Sequence, residues 1–411
     1  MSRRFEVHLY DHVVGILSER PQGGTEFRFS PSYRELVPRP VLGQKFEDDL
    51  FRVYRSRKGL GLPDFFANLI PEGQLRTVIE KSAGLEAGDD LALLGFVGQD
   101  LPGAVSIRPT AEEFPTGDEH EQAEHTGEEE AAEEGSRLRF SLAGLQLKFS
   151  MLREGENLAL PVAGRGGEWI VKFDSPTYPR LPENEWSMLQ WARASGYDVP
   201  ECHLHEVEQI QGFPRRLAPR GARVLAVRRF DRGPEGRIHQ EDLAQAVGLP
   251  PRGKYDHVTY EAMAALVRGF IGEEGAEELI RRLVFVVATG NNDAHLKNWA
   301  LLYPDSIQAR WSPLYDQVST VAWEQTDREL SLKLAGVKEF GRIDRSAFER
   351  VAMRANLQTA RVLELVDGTL ERLREAWREV VPDLYLPVEH IEALRNHWRR
   401  VPLLRAVGPL E

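Results

Sequence analysis

Over the first hundred residues, the apolar positions fall in short alternating runs. "FEVHLY", "VVGILSE" and "EFRFS" read as strands parted by Asp-His and Gly-Gly turns. "DFFANLIPEGQLRTVIEKSAG" then carries helical spacing, and "PGAVSIRP" returns to extended chain. A small α+β unit over 1–108 is the expectation. Beyond an acidic stretch, "RLRFSLAGLQLKFSML", "LALPVAG" and "EWIVKFD" predict a sheet. In "PENEWSMLQWARASG", Met188, Leu189 and Ala192 recur at helical spacing and Gly196 stands at the C-terminal end. "ECHLHEVE" and "RVLAVRRFDR" add two strands, and from about 240 the pattern is predominantly helical. A sheet with one helix inserted, an extended connector and a helical lobe suits a two-lobed enzyme with a cleft between the halves.

Composition narrows the class. A chain of 411 residues is long for one simple core, and 42% hydrophobic content with eight Trp and eighteen Phe is that of a globular protein. The most apolar run, "LIRRLVFVVATG", is broken by two arginines and falls short of a membrane span. No continuous apolar stretch of the signal-peptide kind follows "MSRRFEVHLYD", and the single Cys202 excludes an internal disulfide framework. A cytoplasmic protein without membrane contact is expected. The net charge of −12 belongs mostly to one tract, residues 109–136, which holds eleven carboxylates and no Lys or Arg. Removing those eleven from the total of 64 leaves 53 acids against 52 bases. So polar a tract reads as a solvated linker.

Candidate chemistry concentrates in "TGNNDAHLKNWALLYPDSIQARWSPLYDQ". Leu279, Ile280, Leu283, Val284 and Val287 mark a buried helix before it, with Gly290 as a C-terminal cap. "NWALLY" and "IQARWS" are β-like runs joined by "PDS", and a hairpin there would return Asp316 to the side of Asp293 and Asn298. Three oxygen-bearing residues on two loops suit a hard cation such as Mg²⁺. The spacing matches phosphoryl transfer: an aspartate to take the hydroxyl proton, an asparagine five residues on, and a second metal aspartate after a hairpin. Lys172 in "EWIVKFD" supplies a cation in an apolar strand, where an ammonium is costly unless it meets an anion such as the phosphates of ATP. Ala143-Gly144 offers a tight turn whose backbone could approach phosphate, although a single glycine is a weak signal.

With these motifs in hand, "SLAGLQLKFSML", "WIVKF", "ENEWSMLQWARASG", "RRFDR", "GNNDAHLKNWALLY" and "SPLYDQVS" together resemble the HipA family of bacterial serine/threonine kinases, the toxin halves of toxin–antitoxin pairs. The likeness runs from about 137 to 400, while "FFANLIPEGQLR" and "LPGAVSIRP" resemble that family's N-terminal subdomain. It implies an α+β chain with a two-lobed protein-kinase-like fold: N-terminal subdomain 1–108, acidic insertion 109–136, β-rich N-lobe 137–235 and helical C-lobe 236–411. By resemblance Asp293 is the catalytic base, and Asn298 and Asp316 hold Mg²⁺. Lys172 grips ATP phosphates beneath a loop of Ala143, Gly144, Leu145, Gln146, Leu147 and Lys148. Main-chain groups of Arg228 and Phe230 read adenine, Asp231 lies near the ribose, and His295 lies at the nucleotide. Ser141 corresponds to the autophosphorylated serine, where a dianion would disturb the loop. Glu185 is preferred over Glu183 as the partner of Lys172. The implied partners are a HipB-like helix-turn-helix antitoxin, DNA only through that antitoxin, and a translation component such as an aminoacyl-tRNA synthetase as substrate.

The pattern departs from the family where Arg228 replaces a common Glu, and where Leu145 and Leu147 replace Ala and Glu. Rival readings are a small-molecule or lipid kinase and a non-catalytic, antitoxin-bound corepressor. His203 and His205 in "ECHLHE" are two potential metal ligands without a third, and are read as half-exposed strand histidines. Val366, Leu370, Leu373 and Trp377 are read as ordinary helix core, and "RNHWRR" as weak evidence for nucleic acid.

Overall fold

The computed structural model of the protein describes residues 2–110, 148–154, 157–159, 167–211, 222–255 and 258–406. Ser141, the 143–147 part of the expected phosphate loop and almost all of the acidic tract lie outside the described residues, and Lys148 opens a strand.

Two sheets build the first half, antiparallel except where 210–211 pairs in parallel with 157–159. Residues 4–9, 12–19, 25–29, 54–55 and 105–109 form a five-stranded sheet in which 105–109 pairs with the first strand at the edge. Against it packs a core of Val7, Leu17, Phe27, Phe46, Phe66 and Leu94. The long helix expected after Pro63 is two helices, Asp64–Ala67 and Gly73–Ser82. Pro71 lies between them; it lacks an amide hydrogen and disfavours helical geometry at Ile70. A further helix, Asp90–Val97, escaped the periodicity because Leu91, Leu93, Leu94 and Val97 are buried on several sides.

A second sheet runs in the order 210–211, 157–159, 148–154, 169–172, 223–228, 202–206. Strand alternation divides its residues between two cores. Val171, Phe173, Val224 and Ala226 join the core of the N-terminal unit, so the two sheets share one apolar interior. Leu225 and Val227 turn the other way, onto Leu189 of the helix Leu181–Ala194. Leu225 is the register partner of Lys172.

The remaining chain is a helical lobe around Glu273–Thr289, Thr359–Val380 and Val388–Arg400. Val366, Leu370, Leu373 and Trp377 are buried in its core together with Leu279, Ile280, Leu283, Val284 and Val287. The region after 240 is not wholly helical: His239–Asp242, Ala300–Tyr303 and Arg310–Trp311 make a three-stranded sheet. In it Leu301 faces Trp311 across the hairpin. Among the described residues, no helix is long and apolar enough to cross a membrane.

The N-terminal unit touches both lobes. Gln44 donates from its backbone to Glu241 at 2.8 Å and from its side chain to the Tyr303 hydroxyl at 3.0 Å. On the sheet side, Arg229 bonds Asp100 at 2.8 Å in a fully buried ion cluster.

Candidate active site

Lys172 ends the strand Trp169–Lys172 with 4% of its surface exposed. A charge so placed needs anions close by. Its ammonium donates to Glu185, from the helix Leu181–Ala194, and to Asp316, from the loop that follows the strand Arg310–Trp311. Burial works against the charge, but the Asp316 and Glu185 carboxylates together hold its pKa above the usual lysine value. Glu183, one turn position away, pairs instead with Arg180 at 3.2 Å.

The same helix supplies a residue that the sequence reading missed. Asn184 is fully buried; its Oδ1 accepts from the Ser319 amide at 2.8 Å and its Nδ2 donates to the Ser319 carbonyl at 3.3 Å. It thereby clamps the backbone three residues beyond Asp316. The only available signal was a polar residue on the buried face of an amphipathic helix. Asp316 itself has φ of +51°, a left-handed conformation that aspartate tolerates better than most residues and that clusters at functional sites.

The Asp293 loop starts where the helix Glu273–Thr289 stops. Gly290 caps it at φ +62°, and a Cβ there would stand 2.5 Å from Val321, so glycine is required twice over. Two bonds stitch the loops together: Thr320 Oγ1 donates to the Gly290 carbonyl at 2.7 Å, and Asn292 donates to that hydroxyl at 2.9 Å. Asn291 Oδ1 accepts from the Asp293 amide at 2.9 Å. At the far end, the Tyr315 hydroxyl donates to the Lys297 carbonyl at 3.0 Å, which draws Asp316 towards Asn298. Asn298 Nδ2 donates to the Asp293 carbonyl at 2.8 Å; its carbonyl oxygen is the donor type that Mg²⁺ takes. The Asp293 side chain is 57% exposed and accepts from the Tyr255 hydroxyl at 3.3 Å, so an incoming group can reach it.

His295 is buried beside it, 3.7 Å from Asp293 Oδ1, too far for a hydrogen bond. Burial, with Lys254 and Lys297 nearby, pushes its pKa down to about 3, so the ring is neutral. Its Nδ1 is buried with no hydrogen-bond partner among the described residues.

The connector between lobes fits the expectation unevenly. The Arg228 amide donates to the Glu201 carbonyl at 2.8 Å, and the Phe230 ring lies 5.2 Å from Tyr315. Asp231, expected near the ribose, is buried with its carboxylate engaged by protein donors. One oxygen accepts from Arg229 at 2.9 Å; the other accepts from Arg229 and Arg232 at 2.8 Å and from the Gly103 amide at 2.7 Å. Burial would raise its pKa, yet the two guanidiniums bring it down to about 2. This carboxylate holds the N-terminal unit to the connector. His203 is exposed and meets Glu201 at 2.9 Å. Among the described residues, no three His, Cys, Asp or Glu side chains are placed to hold a metal ion.

A sheet lysine held by a helix glutamate, facing an Asp-Asn loop and a second aspartate, defines a protein-kinase-like α+β fold. Residues 5–108 match the HipA N-terminal domain and 140–377 the HipA-like C-terminal domain. The chain belongs to the HipA family. Two provisionally named kinases of Sinorhizobium fredii are similar: Y4dM, 35% identical over 97% of both chains, and Y4mE, 30% identical over 81% of this chain and 82% of its own. The serine/threonine-protein kinase toxin HipA of Shewanella oneidensis is 25% identical over 66% of each chain. A solved Shewanella oneidensis complex of HipA, HipB and operator DNA has the same fold: TM-score 0.74 at 21% identity, covering 98% of this chain and 99% of that one.

Two outcomes follow from the site's electrostatics. Lys172→Met leaves Glu185 and Asp316 without their cation, and should cost about 3–5 kcal/mol in chemical denaturation. Adding Glu185→Leu to it should recover part of that loss. His295 is neutral in the fold, whereas the unfolded ring gains a proton below its ordinary pKa of 6.5. It therefore contributes stability above 6.5 that is lost as pH falls towards 3. Between pH 7 and pH 5, His295→Asn should lose about 2 kcal/mol less stability than the wild type.

Proposed function

We propose that this chain is an ATP- and Mg²⁺-dependent protein serine/threonine kinase and a growth-inhibiting toxin of the HipA type. The observation that carries the reading is the meeting of Lys172, Glu185 and Asp316, with the Asp316 loop tied through Tyr315 and Lys297 to the loop bearing Asp293 and Asn298. Lys172 would bind nucleotide phosphates, and Arg228 and Phe230 would meet adenine through main-chain groups. The Nδ1 of His295, without a partner among the described residues, is a group that a bound nucleotide could satisfy. Asn298 and Asp316 would hold Mg²⁺, which neutralises charge on the phosphates when bound. The carboxylate of Asp293 takes the proton of an acceptor hydroxyl as its oxygen bonds the γ-phosphorus. The bond from that phosphorus to the β–γ bridging oxygen breaks, and ADP leaves with the electron pair.

The toxin reading is supported by family membership and by the name of the Shewanella oneidensis relative. That a solved relative was captured with HipB and operator DNA supports a HipB-like antitoxin as partner, with DNA reached through it. A translation component such as an aminoacyl-tRNA synthetase is the proposed substrate class, and phosphate on Ser141 the proposed off-switch.

Purified protein incubated with Mg²⁺-ATP and mapped by mass spectrometry should carry phosphate on Ser141, with none on Asp293→Ala. Phosphate on another residue keeps the kinase and removes the switch. Equal phosphate on the Asp293→Ala variant contradicts the catalytic assignment. ATP consumption with phosphate on an added metabolite rather than protein would move the chain to the small-molecule kinases.

A further inference from the structure

The loop that carries Asp293 is held from outside the two lobes. Glu72 occupies the N-cap of the helix Gly73–Ser82 and makes no side-chain cap bond to it. Its carboxylate crosses to the helical lobe instead. Oε1 takes the Lys297 ammonium at 2.6 Å and Oε2 takes the Lys254 ammonium at 3.3 Å. Lys297 also donates to the Asn68 carbonyl at 3.3 Å, and Asn68 Nδ2 donates to the Leu249 carbonyl at 2.8 Å.

Both lysines border groups assigned to catalysis. Lys297 precedes Asn298 in the chain, and its carbonyl receives the Tyr315 hydroxyl beside Asp316. The Lys254 carbonyl accepts from the Leu296 amide at 3.5 Å. The next residue, Tyr255, donates to Asp293 and lies edge-on to His295 at 5.1 Å. The lysine side chains are only 7% and 14% exposed. Two such ammonium groups without a counter-charge would turn to other anions; Lys297 already feels the Asp242 carboxylate, and both would attract a bound phosphate. A carboxylate between them removes that competition and fixes the backbone on which Asn298 sits.

We propose that Glu72 is a positioning residue for the catalytic loop, so that the N-terminal subdomain is a working part of the phosphoryl-transfer site. The proposal rests on the reading of Asp293 and Asn298 given above, and its test separates the two. In the full chain, amide hydrogen exchange across 291–299 is compared for wild type, Glu72→Gln, Lys297→Met and the double variant, followed by steady-state phosphorylation.

Glu72→Gln should speed exchange in that loop about tenfold or more while leaving the helix 273–289 protected. It should lower kcat about tenfold with the KM for ATP nearly unchanged. Lys297→Met should do the same, and the double variant should be no worse than either single one. Arg57→Ala, which removes a separate contact of the subdomain to the Gly248 carbonyl, should leave the loop's exchange unaltered. Unchanged loop exchange in Glu72→Gln, additive effects in the double variant, or equal loosening by Arg57→Ala overturns the proposal. If Glu72→Gln fails to fold, Glu72→Asp, which keeps the charge but draws it back, is read by the same criteria. Exchange needs no substrate, so a wild type that transfers no phosphate removes the kinase reading while the brace is still judged.

Discussion

One buried ammonium organises the cleft. Lys172 leaves water at the end of a strand in which Trp169, Ile170 and Val171 precede it, and its charge persists because two carboxylates come to it from different parts of the fold. Glu185 arrives on a helix whose other residues, Met188, Trp191 and Ala192, belong to the core of the helical lobe. Asp316 arrives on a loop that Asn184 of that helix also grips. The ion triad therefore ties the sheet, the helix and the loop in a single low-dielectric contact, where removing Lys172 leaves two carboxylates without their cation.

The N-terminal unit extends that logic. It shares its interior with the sheet that bears Lys172, through Val171, Val224 and Ala226. It meets the connector through Asp100, Arg229 and Asp231, and the helical lobe through Gln44, Asn68 and Glu72. These contacts are mostly buried and many are charged, so they fix geometry more than they add stability. The unit spans both lobes and restrains the relation between them.

Much of this was legible in the sequence because its signals are local. Strand alternation, the Met188–Leu189–Ala192 spacing and the Gly290 cap predict elements close to those observed. The Asp293, Asn298 and Asp316 spacing was readable because a hairpin returns the chain by a fixed amount. What escaped was set by distant contacts. The donors that reach Asp231 include Gly103, which is far away in the chain and so could not be read as its partner. Asn184 and Glu72 looked like ordinary helix residues, since their partners lie more than a hundred positions on. The break at Pro71 was present in the sequence, but the apolar spacing on either side masked it.

The central claim is that the cleft around Lys172 and Asp316 binds nucleotide with a divalent cation. Calorimetric titration of the wild type and Asp316→Asn with ATP, each with Mg²⁺ and with a chelator, tests it most directly. The account predicts tight binding only for the wild type with Mg²⁺, weakened about tenfold or more by either change. Equal affinity in all four titrations, or no binding by the wild type with Mg²⁺, would contradict it.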